Sequence, residues 1–290
     1  MVQYTLNNEE LEKLIYYQTN YCHLNNNFLN KAVSGDKIFL DKKDFNGNIN
    51  YRLKPLKTFI TNFCDYILDE SSVSFSVNFW GENEKSYFHS IEDITKFKAE
   101  IKKFFGIVLV NDLLDLTICT NHYFKEYKNG EFSAIGNLLH QVKIENKSEA
   151  NEKLMSEIKN IVNNFNFNIY GSNLVIIPMY SSTNIVLETA RLIQVKTQID
   201  IIDDAINIVE TIGRKKIKNL EKKIDRYNAL NGNVIFESSK IPKGKNILLV
   251  DDNYQSGSTL NYIGTILKSY YNIEHVYGFC ITKTQANLNV

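Results

Sequence analysis

Two adjacent carboxylates, Asp251 and Asp252, end an aliphatic run in "NILLVDDNYQSGSTL" (residues 246–260), and a small-polar stretch with one glycine follows. The two halves suit different chemistry. Successive backbone N–H groups where a loop enters a helix form an anion site. Gly257 permits a tight turn there, and the Ser256, Ser258 and Thr259 hydroxyls add donors. Adjacent carboxylates would repel a bare phosphate, but they suit vicinal sugar hydroxyls or a divalent cation. A phosphorylated sugar carrying a metal-bound leaving group meets both demands.

The elements around the stretch must hold it. "NILLV" reads as a buried strand, and "TLNYIGTILKSYY" as a helix with Leu260, Ile263, Ile266, Leu267 and Tyr270 on one face. Upstream, "NLVIIP" (173–178) is a second buried strand, "NIVLETARLIQVKT" a helix and "IDIID" (199–203) a short apolar segment. "SEANEKLMSEIKNIVNNF" is a helix with Ala150, Leu154, Ile158, Ile161 and Phe165 aligned, capped by Ser148. "HVYGFCI" closes the series as a strand. "LTICTNHYFKEYKNGEF" reads as a hairpin or two short strands turning at Asn129-Gly130. Strands separated by helices predict an α/β fold with an open, mostly parallel sheet covered on both faces, and ligands there bind beyond the strands' carboxyl ends.

"RKKIKNLEKKIDRYNALNGN" interrupts the series with Ile217, Leu220, Ile224 and Tyr227 at helical spacing among many basic residues. The first hundred residues carry no interpretable chemical motif. There, "LKPLKTFITNFCDYILDE" places Leu56, Phe59, Ile60, Phe63 and Ile67 at helical spacing. "SVSFSVNFW" alternates Val73, Phe75, Val77 and Phe79 as a strand does, "IEDITKFKAEIKKFF" is helical and "GIVLVND" strand-like. Trp80 reads as a core anchor. The expected boundary separates an N-terminal accessory α/β region, 1–114, from a domain at 115–290.

An ordinary strand–turn–helix whose aspartates cap the helix is the plainest reading of 246–260. A response-regulator receiver also begins with such a run, but it needs a phosphoacceptor aspartate on a later strand, and no aspartate follows Asp252. The segment closely resembles the phosphoribosyl-pyrophosphate (PRPP) motif of type I phosphoribosyltransferases, an apolar strand, two acidic residues and a Thr/Ser-Gly-x-Thr loop. It differs at Asn253, where an aliphatic residue is usual, and at Gln255. The order of elements from 115 resembles the ComF-like branch. "HYFKEYKNGEFSAIGNLLHQVKIENKSEANEKL", "LVIIPMYSSTN" and "LEKKIDRYNALNGNVIF" resemble its successive segments, without the zinc-binding cysteines often found at the start of ComF proteins.

The resemblance implies a sheet of the type I phosphoribosyltransferase kind and transfer of phosphoribose from PRPP to an unidentified nitrogen acceptor, with Mg²⁺ as cofactor. Asp251 and Asp252 would then be the catalytic pair on the ribose hydroxyls and the metal. Gln255, Ser256, Gly257, Ser258 and Thr259 would hold the 5′-phosphate, and Met179, Tyr180, Ser181 and Ser182 the pyrophosphate. ComF-like relatives carry arginines in that last loop, and this chain has none there. Lys222, Lys223 and Arg226 could close as a mobile hood or form a solvated helix face; Arg191 has no assigned role. His122 and His140 have no second ligand at metal spacing and read as structural.

Lys and Arg (33) balance Asp and Glu (33), so net charge gives no support for nucleic acid as a partner. The four cysteines, widely spaced with no C-x-x-C pair, read as buried thiols of a cytoplasmic protein. No apolar stretch suggests a signal peptide or membrane span. Besides the enzyme, a non-catalytic PRPP- or nucleotide-sensing module fits these residues, and so does a ComF-like nucleic-acid-associated role by analogy alone. The N-terminal region is the candidate surface for self-association or a protein partner.

Overall fold

The computed structural model describes residues 1–16, 20–23, 39–43, 49–53, 63, 66–67, 70, 75–80, 83–88, 91–104, 106–126, 130–209, 220 and 222–284. The chain divides into two units, Met1–Tyr21 with Val110–Val290, and Cys22–Leu109.

The first unit contains, in chain order, β1 (Val2–Gln3), α1 (Asn8–Tyr16), β2 (Leu116–His122), β3 (Phe124–Glu126), β4 (Glu131–Phe132), α2 (Ala134–Lys143) and α3 (Ser148–Asn164). Then come β5 (Leu174–Pro178), α4 (Ile185–Thr197), β6 (Ile206–Ile208), α5 (Lys223–Leu230), β7 (Val234–Phe236), β8 (Asn246–Tyr254), α6 (Ser258–Tyr271) and β9 (Val276–Lys283). Strands β5, β8, β9 and β2 are neighbours in that order, and all three pairings are parallel. Every residue of β5 and β9 is buried, which is why these segments read as unbroken apolar runs without alternation.

Helices cover both faces. α2, α3 and α4 pack in succession, with α4 on β5 and β8 and α2 on β2, while α6 packs on β9 and α5 on α6. α3 buries Ala150, Leu154, Ile158 and Val162, and α6 buries Leu260, Ile263, Ile266 and Leu267. Burying each such aliphatic side chain contributes about 1.5–3 kcal/mol. Two expected stripe members, Ile161 and Tyr270, lie off the buried faces. Ser148 is the first residue of α3, not its cap; Lys147 stands at that position and makes no side-chain cap bond.

The expected hairpin at 116–132 is something larger. Its first half, β2, is a core strand paired with β9, and only β3 and β4 form a small antiparallel pair. Asn129 of the expected turn lies outside the described residues, as do Leu56, Phe59, Ile60, Val73 and Ile217. The 199–203 segment contributes a single bridge, Ile201 to Ile176.

The opening residues belong structurally with the region after residue 200, where a boundary at 114 would not place them. β1 pairs antiparallel with β7, which also pairs with β6. The Asn231 side chain accepts from Leu6 N at 2.8 Å and donates to Leu6 O at 3.0 Å, and the Tyr262 hydroxyl donates to Tyr4 O at 3.0 Å. In the second unit, strands Phe39–Lys43, Ile49–Leu53, Asn83–Phe88 and Phe75–Trp80 form an antiparallel sheet in that order. Helix Ile91–Lys102 there buries Phe97 and Ile101.

Candidate functional site

β8 does not stop at Val250. Asp251 pairs with Cys280, Asn253 with Thr282 and Tyr254 with Lys283, so both aspartates stand inside the strand near its carboxyl end. Both are buried, and they line one cleft together with Arg226 and the run from Asn253 to Leu260. Asp251 Oδ1 accepts from the Asp252 N–H at 2.9 Å.

The chain then turns through Gln255–Gly257 into α6. Gly257 caps the helix with φ 75°, a conformation that L side chains rarely adopt. A Cβ there would lie 2.0 Å from the Tyr254 hydroxyl and 2.8 Å from Asn261 Nδ2, so glycine is required twice over. The Ser256 and Ser258 hydroxyls are 2.9 Å apart, and they flank the N–H groups at the start of α6, where the helix dipole favours an anion.

A buried polar frame carries the loop from beneath. The Tyr254 hydroxyl donates to Asp112 Oδ2 at 2.8 Å, and Thr117 Oγ1 donates to the same carboxylate at 3.0 Å. Asn261 donates to the Tyr254 hydroxyl at 3.3 Å and accepts from Leu113 N at 2.8 Å. Lys283, buried at 2% exposure, donates to Gln255 O at 3.2 Å and to Thr284 O, with its ammonium 5.3 Å from the Tyr254 ring centre. Burial pushes Lys283 down to about 8 and Asp112 up to about 6, the latter against the stabilising bonds from Tyr254, Thr117 and Leu114.

The Asp112 shift has a definite sign. Between pH 4 and 6 the folded protein holds the Asp112 proton more tightly than the unfolded chain, so this group lowers stability as pH rises through that window. The expected loss is on the order of 2 kcal/mol, discounted for the residue's partly exposed edge. Urea denaturation across pH 4–7 checks it: Asp112→Asn should flatten that part of the profile.

Sequence reasoning missed the residue in closest contact with the aspartate pair. Lys143 forms an ion pair with Asp252 Oδ2, with 12% and 5% of the two side chains exposed. The same oxygen accepts from the Ser181 hydroxyl at 3.0 Å. Lys143 is the last residue of α2, which "NGEFSAIGNLLHQVK" hides behind two glycines. Ser133 caps α2 by accepting from Gly136 N at 2.9 Å. A Cβ on Gly136 would meet the Tyr123 carbonyl oxygen at 1.8 Å, so this glycine lets α2 lie directly on backbone. The readable signal was Ser133 followed by Ile135 and Leu139, both buried.

Of the expected pyrophosphate residues, Ser181 is joined to Asp252 through its hydroxyl. Met179 is corrected as a backbone donor: its side chain is buried, and its N–H is taken by Val250 O at 2.8 Å because the β5–β8 ladder runs one residue further. Tyr180 and Ser182 are exposed. Of the basic trio, Arg226 is buried in the cleft wall with its Nε donating to Leu220 O at 2.7 Å. Lys222 is exposed and Lys223 half-buried, and neither lines the cleft. Arg191 lies on a separate groove between α3 and α4. His140 meets the Tyr123 hydroxyl at 3.3 Å and packs on Phe132. Cys119 and Cys280 are buried, free and opposite each other on β2 and β9.

Among the described residues, no three His, Cys, Asp or Glu side chains are grouped to hold a metal. Two carboxylates suffice for Mg²⁺ when a ligand's own phosphate oxygens and water complete its shell, so the donor set fits a cation shared with a phosphorylated ligand.

No protein-family model matches the chain, and no curated protein matches it. Its architecture is established by the sheet itself. This is an α/β fold with a mostly parallel open sheet. Among solved structures, it is similar to a hypoxanthine phosphoribosyltransferase from Staphylococcus aureus, with 15% identity and a TM-score of 0.32, over 46% of this chain and 68% of that one. Among the described residues, no helix is long and apolar enough to cross a membrane.

Proposed function

We propose that this protein binds PRPP and transfers its phosphoribosyl group to a nitrogen nucleophile in the cytoplasm, as a member of the ComF-like branch of type I phosphoribosyltransferases. One observation carries the reading: a helix-N-terminal anion loop and two buried carboxylates share a single cleft at the carboxyl end of a parallel strand.

In this reading Ser256–Thr259 hold the 5′-phosphate through backbone N–H groups and hydroxyls, with Gln255 entering the loop. Asp251 and Asp252 accept from the ribose hydroxyls. Mg²⁺, carried by the substrate and held by these carboxylates, would neutralise charge on the pyrophosphate. The acceptor nitrogen forms a bond to C1 as the C1–O bond to pyrophosphate breaks, through an oxocarbenium-like transition state. Pyrophosphate leaves with the bonding electron pair, and the acceptor releases its proton to solvent. The residues contribute mainly by positioning the reactants and by fixed charge where charge develops.

A second reading, a PRPP- or nucleotide-sensing module without turnover, is favoured by the loop at 179–184, which has no Lys or Arg. Pyrophosphate release from PRPP and Mg²⁺ across a panel of purine, pyrimidine and amine acceptors separates the two. Transfer predicts release with at least one acceptor, abolished in Asp252→Asn. Tight PRPP binding with no release anywhere would leave the sensor.

A further inference from the structure

We propose that Lys143 is the cation that receives the leaving pyrophosphate, parked on Asp252 in the free protein and released when that carboxylate takes up its ligand. This rests on the phosphoribosyl-transfer reading above.

The cleft is lined by Arg226 and the run from Asp251 to Leu260, and Lys143 and Ser181 adjoin it through Asp252. The anion loop opens α6 and fixes where a 5′-phosphate sits. A ribose carries its 5′ and 1′ substituents on opposite sides, so the leaving group must project past the carboxylates and away from α6. Ser181 and Lys143, neither of them on α6, both meet one carboxylate oxygen of Asp252, and we place the leaving group on their side. The Met179–Asn184 loop supplies no cation, and its first N–H is already bonded to Val250 O. A departing polyanion calls for fixed positive charge nearby. Among the described residues, Lys143 holds its ammonium on Asp252, whereas Arg226 of the cleft wall donates its Nε to Leu220 O.

Its anchorage suits the task. α2 is capped by Ser133, seated on the Tyr123 carbonyl through Gly136 and buried at Ile135 and Leu139. The origin of the lysine stem is therefore fixed, while four flexible carbons let the ammonium pivot without moving the helix. A buried ion pair is costly to break if either charge is left alone. Here neither would be, because a substrate hydroxyl or cation replaces Lys143 on Asp252 as pyrophosphate replaces Asp252 on Lys143. Occupation of the sugar end and the pyrophosphate end should accordingly be coupled.

Calorimetry with pyrophosphate plus Mg²⁺, and separately with ribose 5-phosphate, tests this on the full chain. Lys143→Met should weaken pyrophosphate binding by about tenfold or more while leaving ribose 5-phosphate within about twofold, and Lys143→Arg should restore most of the loss. Titrated with pyrophosphate in the absence of Mg²⁺, where Asp252 serves no metal, Asp252→Asn should strengthen binding severalfold because the ammonium is no longer shared; a merely structural ion pair predicts no such gain. Unchanged pyrophosphate affinity in Lys143→Met would overturn the proposal. So would equal loss of both ligands without rescue by arginine. Wild type that binds ribose 5-phosphate but not pyrophosphate overturns this inference alone, whereas wild type that binds neither these ligands nor PRPP overturns the phosphoribosyl reading as well.

Discussion

Gly257→Ala is expected to destabilise the protein by about 2–4 kcal/mol and to weaken ribose 5-phosphate binding by about tenfold or more. Two independent costs combine. An alanine held at φ 75° is strained by roughly 1 kcal/mol. Its Cβ would also overlap the Tyr254 hydroxyl at 2.0 Å and the ring carbon bearing it at 2.3 Å. Tyr254 cannot simply step aside, because it is buried and bonded to Asp112 and Asn261. The loop must move instead, and the N–H groups that face the cleft move with it. Gly264→Ala is the matched comparison. Its Cβ would meet Leu114 Cδ2 at 2.2 Å, the end of a rotatable side chain, so a smaller loss and unaltered ligand affinity are expected. Urea denaturation and calorimetry read both quantities.

Asp252→Asn is expected to lower PRPP affinity by about a hundredfold and stability by about 3–5 kcal/mol, the usual scale for removing one partner of a buried ion pair. The substitution leaves Lys143 nearly buried opposite a neutral amide. Adding Lys143→Met should recover much of the stability, because no unpaired charge remains, while PRPP affinity stays lost. That divergence between folding and binding separates a ligand-binding carboxylate from a structural one. Recovery of both in the double variant would show that Asp252 serves only the fold.

The sequence makes the central strands and the loop before α6 readable for physical reasons. "LVIIP", "NILLV" and "HVYGFCI" are buried on both faces and so lack the alternation that confuses strands with helices. The loop at 255–259 announces itself because only a glycine fits its left-handed turn and small hydroxyls must stand beside it. The carboxylates were legible by type, though the strand runs on to Tyr254, where side-chain bonds from Thr282 to Asp252 O and Asn253 extend the ladder.

Long-range chemistry was not legible. Lys143 precedes Asp252 by 109 positions, and its helix is short, contains a glycine and begins beside another. Gly136 looks like a helix breaker until the Tyr123 carbonyl beneath it is seen. Lys283 and Asp112 are single charged residues beside apolar segments. Nothing in local spacing says that they meet under the loop through Tyr254. Residues 1–16 offered no signal that they pair with 231–236, since two-residue strands carry no period.

The most direct measurement is calorimetric titration of PRPP with Mg²⁺ into the wild-type chain, followed by competition with ribose 5-phosphate and with pyrophosphate. Binding is expected at about one site per chain, competed by both fragments, if the proposed phosphate and pyrophosphate subsites share the cleft. Absence of PRPP binding in the wild-type protein, under conditions where it is folded, would contradict it.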